Sequence, residues 1–494
     1  MAHHKRSSKR TGKSSTMTAT KTPNPRQQVY VQRAPMMRGR YDAAQTVDEN
    51  SRHWAYADGL SADAAMSTTV RTILRNRARY EVANNSYASG IVGTLAHSSI
   101  GTGPRLQLLA ATEDENNAVE AEFSAWAEAV DLAGKLRTMR KAKAQDGEAF
   151  AVLTRNPELS TPVKLDLRLV EADHITTPAA KVLTDPRFVV DGIEFDSYGN
   201  RKRYWMLPVH PGSVGRTAQD PIPVPAKSML HWYRVDRPGQ NRGVPELTPA
   251  LPLFAQLRRY TLAVLAAAET AADFAAVIYT DTPANSEAAN VAPMTVVELE
   301  ARMATVLPEG WKLGQMKAEQ PITGYGEFKR EILSEIAWGL HITFNVAAGD
   351  SSKHNYASGR LDWQMFAKDV RVERRHCAHS CLDRILYAWF AEAILISDYL
   401  SLLWRMMRHI PHQWFWDGDE HVDPQKEAKA QDTHLKNYST NYANEYAKQG
   451  KDWRKELEQC AIEKAFMDSK GLKQEDVEKY REAAKTRREE ADDD

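Results

Sequence analysis

The sequence predicts an α+β protein of several regions, mainly helical, and three observations carry that expectation. Its 494 residues exceed what one hydrophobic core usually organises. Residues 150–233 break into short β-branched and aromatic runs punctuated by Pro, Gly and Asp. The segments on either side carry apolar residues recurring every three or four positions. A composition of 42% hydrophobic and 26% charged residues, with 12 Trp and 18 Tyr, suits packed cores.

Residues 1–40 mix Ser, Thr, Lys, Arg and Pro without helical or strand period and predict a disordered arm, either a solvated tail or a basic arm touching DNA or a neighbouring subunit. Folded sequence begins near Tyr41. Residues 70–96 read as helices interrupted at Asn84-Asn85-Ser86, and Gly101, Gly103 and Pro104 stop the second one. Val119, Phe123, Trp126 and Val130 mark the core face of a helix over 117–130. Within the strand-rich segment, DGIEFDSYGNRKRYWM predicts a hairpin, because Tyr198-Gly199-Asn200 supplies the positive φ its turn requires.

Pro245 opens a helix of about 30 residues, roughly 45 Å long, with Pro249 and Pro252 allowing an irregular start. A Pro/Ala/Asn loop over 281–293, a helix over 295–305 and a strand near 310–316 follow. Ile332, Ile336 and Leu340 lie on one stripe of a helix over 328–340. Residues 345–359, NVAAGDSSKHNYASG, have no useful period and predict a loop. The longest helical signal runs over 359–396, with Cys377, Cys381, Ile385 and Trp389 at steps of four. Pro424 starts a charged helical region with breaks at 437–442 and Gly450.

Lys plus Arg and Asp plus Glu balance at 65 each, whereas a protein gripping DNA phosphates tightly more often shows a basic excess. The balance is uneven along the chain: residues 1–41 hold Lys and Arg and no acid, and the chain ends on Glu489, Glu490, Asp492, Asp493 and Asp494. Cys377, Cys381 and Cys460 are too few for a disulfide framework, so free thiols in a reducing cytoplasm are expected. The N-terminus is polar where a signal peptide would be apolar, and the most apolar stretch, 260–279, is broken by Glu269 and Asp273. No membrane partner is expected.

Motifs for chemistry are weak. Thr11-Gly12-Lys13-Ser14 has Ser7 where a P-loop needs its first glycine and lacks the flanking strand and helix. On one helix Cys377 and Cys381 share a face while His376 and His379 point elsewhere, so core thiols are the expectation and zinc is not. The pairs His3-His4 and His409/His412 have no defined acidic or cysteine companions. Asp146-Gly147-Glu148 and Glu171/Asp173 resemble catalytic carboxylates, but a helix-to-strand turn and a strand end also place acids at a surface or subunit interface, and no paired base or nucleophile accompanies them. Catalytic, cofactor and metal sites are therefore all expected to be none.

Several phrases occur in a fixed order: RARYEVANNSYASGIVGTLAHSSIGTGPRLQ, DGEAFAVL, HWYRVDRPGQNRGVPELTPAL, GLHITF, HNYASGR and DPQKEAKA. Each is moderately specific and their joint order is strong. From about Tyr41 to Leu472 the chain resembles the lambda-like portal proteins of tailed bacteriophages. The resemblance implies a multi-region portal fold of wing, stem, clip and crown, assembled into a ring with an axial channel. It places the first part of the wing at 41–244, stem helices at 245–280 and 326–344, and the clip at 281–325. The tunnel loop, long wing helix and end of the wing take 345–423, and the crown with an acidic tail takes 424–494.

The resemblance implies a structural protein at a capsid vertex of the virion, present in the host cytoplasm during assembly. Its implied partners are itself, as a ring of about twelve copies joined by salt-sensitive heterologous contacts, double-stranded DNA passing without sequence readout, the terminase large subunit, the major capsid protein and head-completion or adaptor proteins. Ser351, Ser352, Lys353, His354 and Asn355 become the DNA-facing tunnel loop, with Lys353 its chief cation; a plain solvent loop is the alternative. The other readings are a connector or adaptor ring without full stem and clip, and a packaging nuclease or ATPase. A gene transfer particle's portal would read much the same.

Overall fold

The computed structural model describes residues 52–110, 112–179, 188–214, 219–273, 277–280, 311–314, 324–352, 355–407, 409–418 and 424–471. The expected basic arm, the helix over 295–305 and the acidic tail lie outside them. The chain divides into a unit ending at Gly59 and one beginning at Leu60. In the first, the Ala57 N–H donates to the Trp54 carbonyl (3.0 Å) within a turn. Among the described residues the second is mostly helical with four small sheets.

It opens with helices α1 (Ala62–Ala65), α2 (Thr68–Asn84) and α3 (Ser86–Ile100). Asn85 supplies the expected break: its side chain accepts from the N–H groups of Tyr87 (3.0 Å) and Ala88 (3.5 Å), capping α3. Gly101, at φ +59°, ends α3. Strand β1 (Arg105–Leu108) leads to α4 (Glu113–Ala129), which buries Val119, Phe123 and Trp126, and α5 (Leu132–Asp146).

Strands β2 (Glu148–Arg155) and β3 (Leu165–Val170) follow, then β4 (Val189–Val190), β5 (Ile193–Phe195), β6 (Arg201–Met206), β7 (Ile222–Pro225) and β8 (Met229–Tyr233). One antiparallel sheet has the order β3-β2-β8 and another β4-β5-β6-β7. The expected hairpin is β5–β6: Gly199 sits at φ +85° and the Asp196 side chain accepts from the N–H groups of Tyr198 and Asn200.

A 3-10 turn, Thr248–Ala250, precedes α6 (Leu251–Asp273), so the helix starts six residues later than Pro245 suggested, after both of the prolines that lack N–H donors at 245 and 249. Strands β9 (Val277–Thr280) and β10 (Trp311–Gly314) pair antiparallel. Helix α7 (Tyr325–Gly339) then runs back along α6: Tyr260 packs on Phe328 (4.4 Å between ring centroids), and Gly339 lies beside Pro249. Next come α8 (Phe344–Ala348) and α9 (Tyr356–Cys377), a π turn over Ala378–Leu382, and α10 (Asp383–Ala393). The single long helix expected over 359–396 is thus present as one uninterrupted helical run from Tyr356 to Ala393, with the π turn inserted just after the helix passes from the second core, at Val370, to the first, at Cys377. One extra residue rotates the following face by about 100°. Helix α11 (Leu402–Met406) and strand β11 (His412–Phe415) follow, then α12 (Pro424–Lys436), α13 (Tyr442–Lys448) and α14 (Trp453–Ser469). The breaks expected at 437–442 and Gly450 separate these three.

Three cores result. The period of two along β2 sends Ala149 and Ala151 into the first, with Trp126, Cys381 and Trp389, and Phe150 and Val152 into the third, with Ile193 and Tyr204. The second core joins α3, α6, α7 and α9 through Ile91, Phe254, Ile336 and Phe366. Strand β11 pairs antiparallel with β1, and Asp417 accepts from the Thr102 N–H and hydroxyl (both 2.5 Å), joining segments 315 residues apart. Among the described residues no helix is long and apolar enough to cross a membrane.

Candidate functional site

The acids of DGEAFA are not at a surface. Gly147 ends α5 at φ +91°, and a Cβ there would lie 2.4 Å from the Val244 carbonyl carbon; a Cβ on Gly243 would lie 2.0 Å from the Gly147 carbonyl oxygen. Two glycines therefore let the DGE turn and the NRGVPE loop meet backbone to backbone. That approach seats the Glu148 carboxylate, fully buried, against Arg242: Nε donates at 3.0 and 2.8 Å and Nη2 at 2.6 Å. The Gly243 N–H donates to the same carboxylate (3.1 Å) and Arg75 approaches it (3.5 Å). Burial pushes the Glu148 carboxyl up, but Arg242 and His231 outweigh it and hold the group well below the usual carboxylate range.

His231 is stacked between Phe150 (4.2 Å) and Tyr233 (4.3 Å), with Nε2 3.1 Å from Glu148 and Nδ1 3.3 Å from the Tyr204 hydroxyl. Burial lowers its imidazole to about 4, against the pull of the Glu148 carboxylate, so the ring is neutral. The tautomer that fits both contacts carries its proton on Nε2 and accepts at Nδ1.

Arg71, Arg75 and Arg79, at steps of four on α2, reach this cluster side by side. Arg71 pairs with Asp191 (3.0 Å) and Arg75 with Asp173 (2.9 Å). Arg79 is bidentate on Asp146 (2.8 and 2.9 Å) and also reaches Asp173 (2.8 Å) and Glu171 (3.2 Å). The same four-residue spacing visible in the sequence was the one local signal for this network. A neighbouring cluster ties α5 to the rest: Arg140 and Lys143 meet Glu246 (both 2.9 Å), and Lys143 also meets Glu373 (2.7 Å). Burial raises the Glu246 carboxyl, yet Arg140 and Lys143 hold it well below its usual range.

These carboxylates each have a cation at hand, and Glu148 and His231 have no solvent-exposed side chain. The Glu148–His231–Arg242 contact joins distant segments and presents neither its carboxylate nor its imidazole to a substrate. Glu171, Asp173 and His210 come close enough to suggest a metal set, with His210 Nε2 3.3 Å from Glu171 and 3.7 Å from Asp173. Arg79 already occupies both carboxylates, however, and the Gly212 N–H donates to His210 Nδ1 (3.0 Å), so Nδ1 is an acceptor and the ring's N–H is the Nε2 that faces the two acids. Cys377 and Cys381 are buried in the first core. His412 does have an acidic companion, contrary to the sequence reading: Asp383, at 3.2 Å, which Trp414 Nε1 also engages (2.9 Å).

The loop expected over 345–359 is shorter. Phe344–Ala348 is helical, Gly349 (φ +65°) ends it, and Asn355 caps α9 by accepting from the Ser358 N–H (2.9 Å) while the Ser358 hydroxyl accepts from the Asn355 N–H (3.1 Å). This capping box, Asn355 with Ser358, turns the end of the loop into a helix start. Ser351 and Ser352 are exposed between the two helices, and the Ser352 N–H donates to Asp350 (2.9 Å). Lys353 and His354 lie outside the described residues.

The Trp453–Ser469 helix and the turn before it meet the β1 region through Arg105 on the Gly450 carbonyl, Gln107 on Asp452 (3.1 Å) and Lys455 on Glu120 (3.2 Å).

A family model described as phage portal protein, lambda family, matches residues 48–374. A probable portal protein of Halomonas phage phiHAP-1 is 24% identical over 406 residues, covering 77% of each chain. Among solved structures, a chain from the neck of an empty gene transfer agent particle aligns with a TM-score of 0.43 at 13% identity, covering 80% of this chain and 94% of that one. A chain from the neck of a native particle, computed with C12 symmetry, aligns at 0.39 and 14% identity over 74% and 88%. An HK97 family phage portal protein from Corynebacterium diphtheriae aligns at 0.29 and 11% identity over 71% and 97%.

Proposed function

Because the chain belongs to the lambda family of phage portal proteins, we propose that about twelve copies close into a ring at one capsid vertex of the virion, through which double-stranded DNA is packaged and ejected. The family match over residues 48–374 carries this reading. In it, 41–244 and 345–423 form the wing, 245–280 and 326–344 the stem, 281–325 the clip and 424–494 the crown. The antiparallel pairing of α6 with α7, joined through β9 and β10, supports an outgoing and a returning stem helix. The clip binds the terminase large subunit and later the head-completion proteins, the wing meets the major capsid protein, and assembly takes place in the host cytoplasm.

Native mass spectrometry of the purified 55.6 kDa chain, with negative-stain images, tests the ring. An annulus with an open axis supports it; a monomer or dimer at every salt concentration refutes it. In this reading Ser351, Ser352, Lys353, His354 and Asn355 face the channel and touch phosphates without sequence readout. Lys353→Glu particles then lose packaged DNA; normal packaging and retention would show the loop's charge to be irrelevant.

A further inference from the structure

Helix α7 buries Ile332, Leu333 and Ile336 in the second core and turns its opposite side outward. That outer side carries Glu327, Glu331, Glu335 and Trp338, spaced four, four and three residues apart, and Trp338 is 76% exposed. No described ion pair engages the three glutamates. Helix α9 buries Phe366 and Val370 in the same core. Its opposite side carries Leu361 (62% exposed), Met365 (54%), Lys368 and Val372 (66%), again at helical spacing, with Arg371 exposed alongside.

One chain thus presents two outward helix faces of similar length: one acidic with a large aromatic, the other net basic, with Lys368, Arg371 and Arg375 exposed beside a single exposed acid, Asp369, and an aliphatic ridge. An exposed tryptophan and three exposed aliphatic side chains in line are the kind of surface that marks a protein interface. The two faces differ from each other and match in charge, which is what a head-to-tail contact between identical subunits requires and a two-fold contact does not. We infer that the Glu327–Trp338 face of one copy docks on the Leu361–Val372 face of the next, with Trp338 against the aliphatic ridge and Glu331 and Glu335 against Lys368 and Arg371. The inference rests on the ring reading above and specifies which surfaces close it.

Charge reversal separates the two claims. One variant carries Glu331→Arg and Glu335→Arg, a second carries Lys368→Glu and Arg371→Glu, and a third combines all four; every position is exposed. Circular dichroism first establishes that each folds as the unaltered chain does. Native mass spectrometry at low salt then measures the assembled fraction. The first two variants, each alone, are expected to require at least about tenfold higher concentration to assemble, since like charges then face each other. Mixed in equal amounts they form rings in which the two alternate, and the combined variant forms rings by itself. If the first two variants assemble alone as the unaltered chain does, or if neither the mixture nor the combined variant recovers rings, the docking is wrong while the ring stands. If the unaltered chain forms no ring, the portal reading and the docking both fail.

Discussion

Replacing Glu148 with Gln keeps the size of a fully buried side chain and removes the charge that Arg242 meets at 2.6 Å. The amide cannot accept from all five N–H groups now directed at the carboxylate, two from Arg242 and one each from His231, Gly243 and Arg75. Arg242 is itself buried, so its guanidinium is stranded without a counter-ion. Breaking a buried pair from one side costs about 3–5 kcal/mol. For a unit running from Leu60 to Asp494, an unfolding entropy of about 2.1 cal/mol/K per residue sums to about 0.9 kcal/mol/K, so each kcal/mol lowers Tm by about 1 °C. Differential scanning calorimetry at fixed protein concentration, which holds any contribution from assembly constant, is expected to show a fall of about 3–5 °C. Asp236→Asn provides the control: the Arg234–Asp236 pair has side chains 41% and 43% exposed, and its loss should shift Tm by less than about 0.5 °C. Adding Arg242→Met to Glu148→Gln should cost less than the two singles together by at least about 1 kcal/mol, because the stranded charge is gone. A Glu148→Gln protein melting with the Asp236→Asn protein would refute the view that this contact holds the DGE turn to the NRGVPE loop.

Acid acts on the same network. With His231 at about 4 when folded and near 6.5 when unfolded, the unfolded chain binds the extra proton between those values, so stability falls as pH drops from about 6.5 to 4, by about 3 kcal/mol in all. His231→Gln should remove that share of the slope in urea titrations repeated across the window, and an unchanged slope would contradict the buried neutral ring. Gly243→Ala places a Cβ 2.0 Å from a backbone oxygen and should cost more than about 3 kcal/mol, while Gly90→Ala, with nothing within 4 Å on a helix, should be neutral or stabilising by about 0.5–1 kcal/mol; equal melting of the two would dismiss the tight approach. Cys460 is exposed and should react with a thiol reagent in the native protein, whereas Cys377 and Cys381 should react only after unfolding.

Much of this architecture was legible locally. The α+β class, the Asn85 break, the Gly101 stop, the Gly199 hairpin and the core face of α4 each depend on residues close in sequence, and the structure has them. The role of Asp146 and Glu148 was not legible, because their partners are remote: Arg79 lies 67 residues from Asp146, and Arg242 lies 94 from Glu148. No periodicity reports a contact of that range. The extent of the 345–359 loop was misread for the opposite reason. The Asn355–Ser358 capping box is local and readable, but a five-residue helix at Phe344–Ala348 is too short to show a period. Family phrases such as DGEAFA and NRGVPE turn out to mark where two glycines and a buried ion pair lock together.

The two-stranded ribbon of Arg105–Leu108 with His412–Phe415 sets an order on how the molecule comes into being. A chain emerging from the ribosome presents β1 early, with Leu106 and Leu108 destined for the first core, and that strand has no partner until His412 arrives more than 300 residues later. Pairings of such sequence separation form late. Any chain terminated before His412 keeps a bare strand edge and an uncovered apolar pair, although the outward faces of α7 and α9 are already synthesised. Completion of the subunit is thereby tied to its last third, so truncated products carry an aggregation-prone defect that distinguishes them from finished subunits.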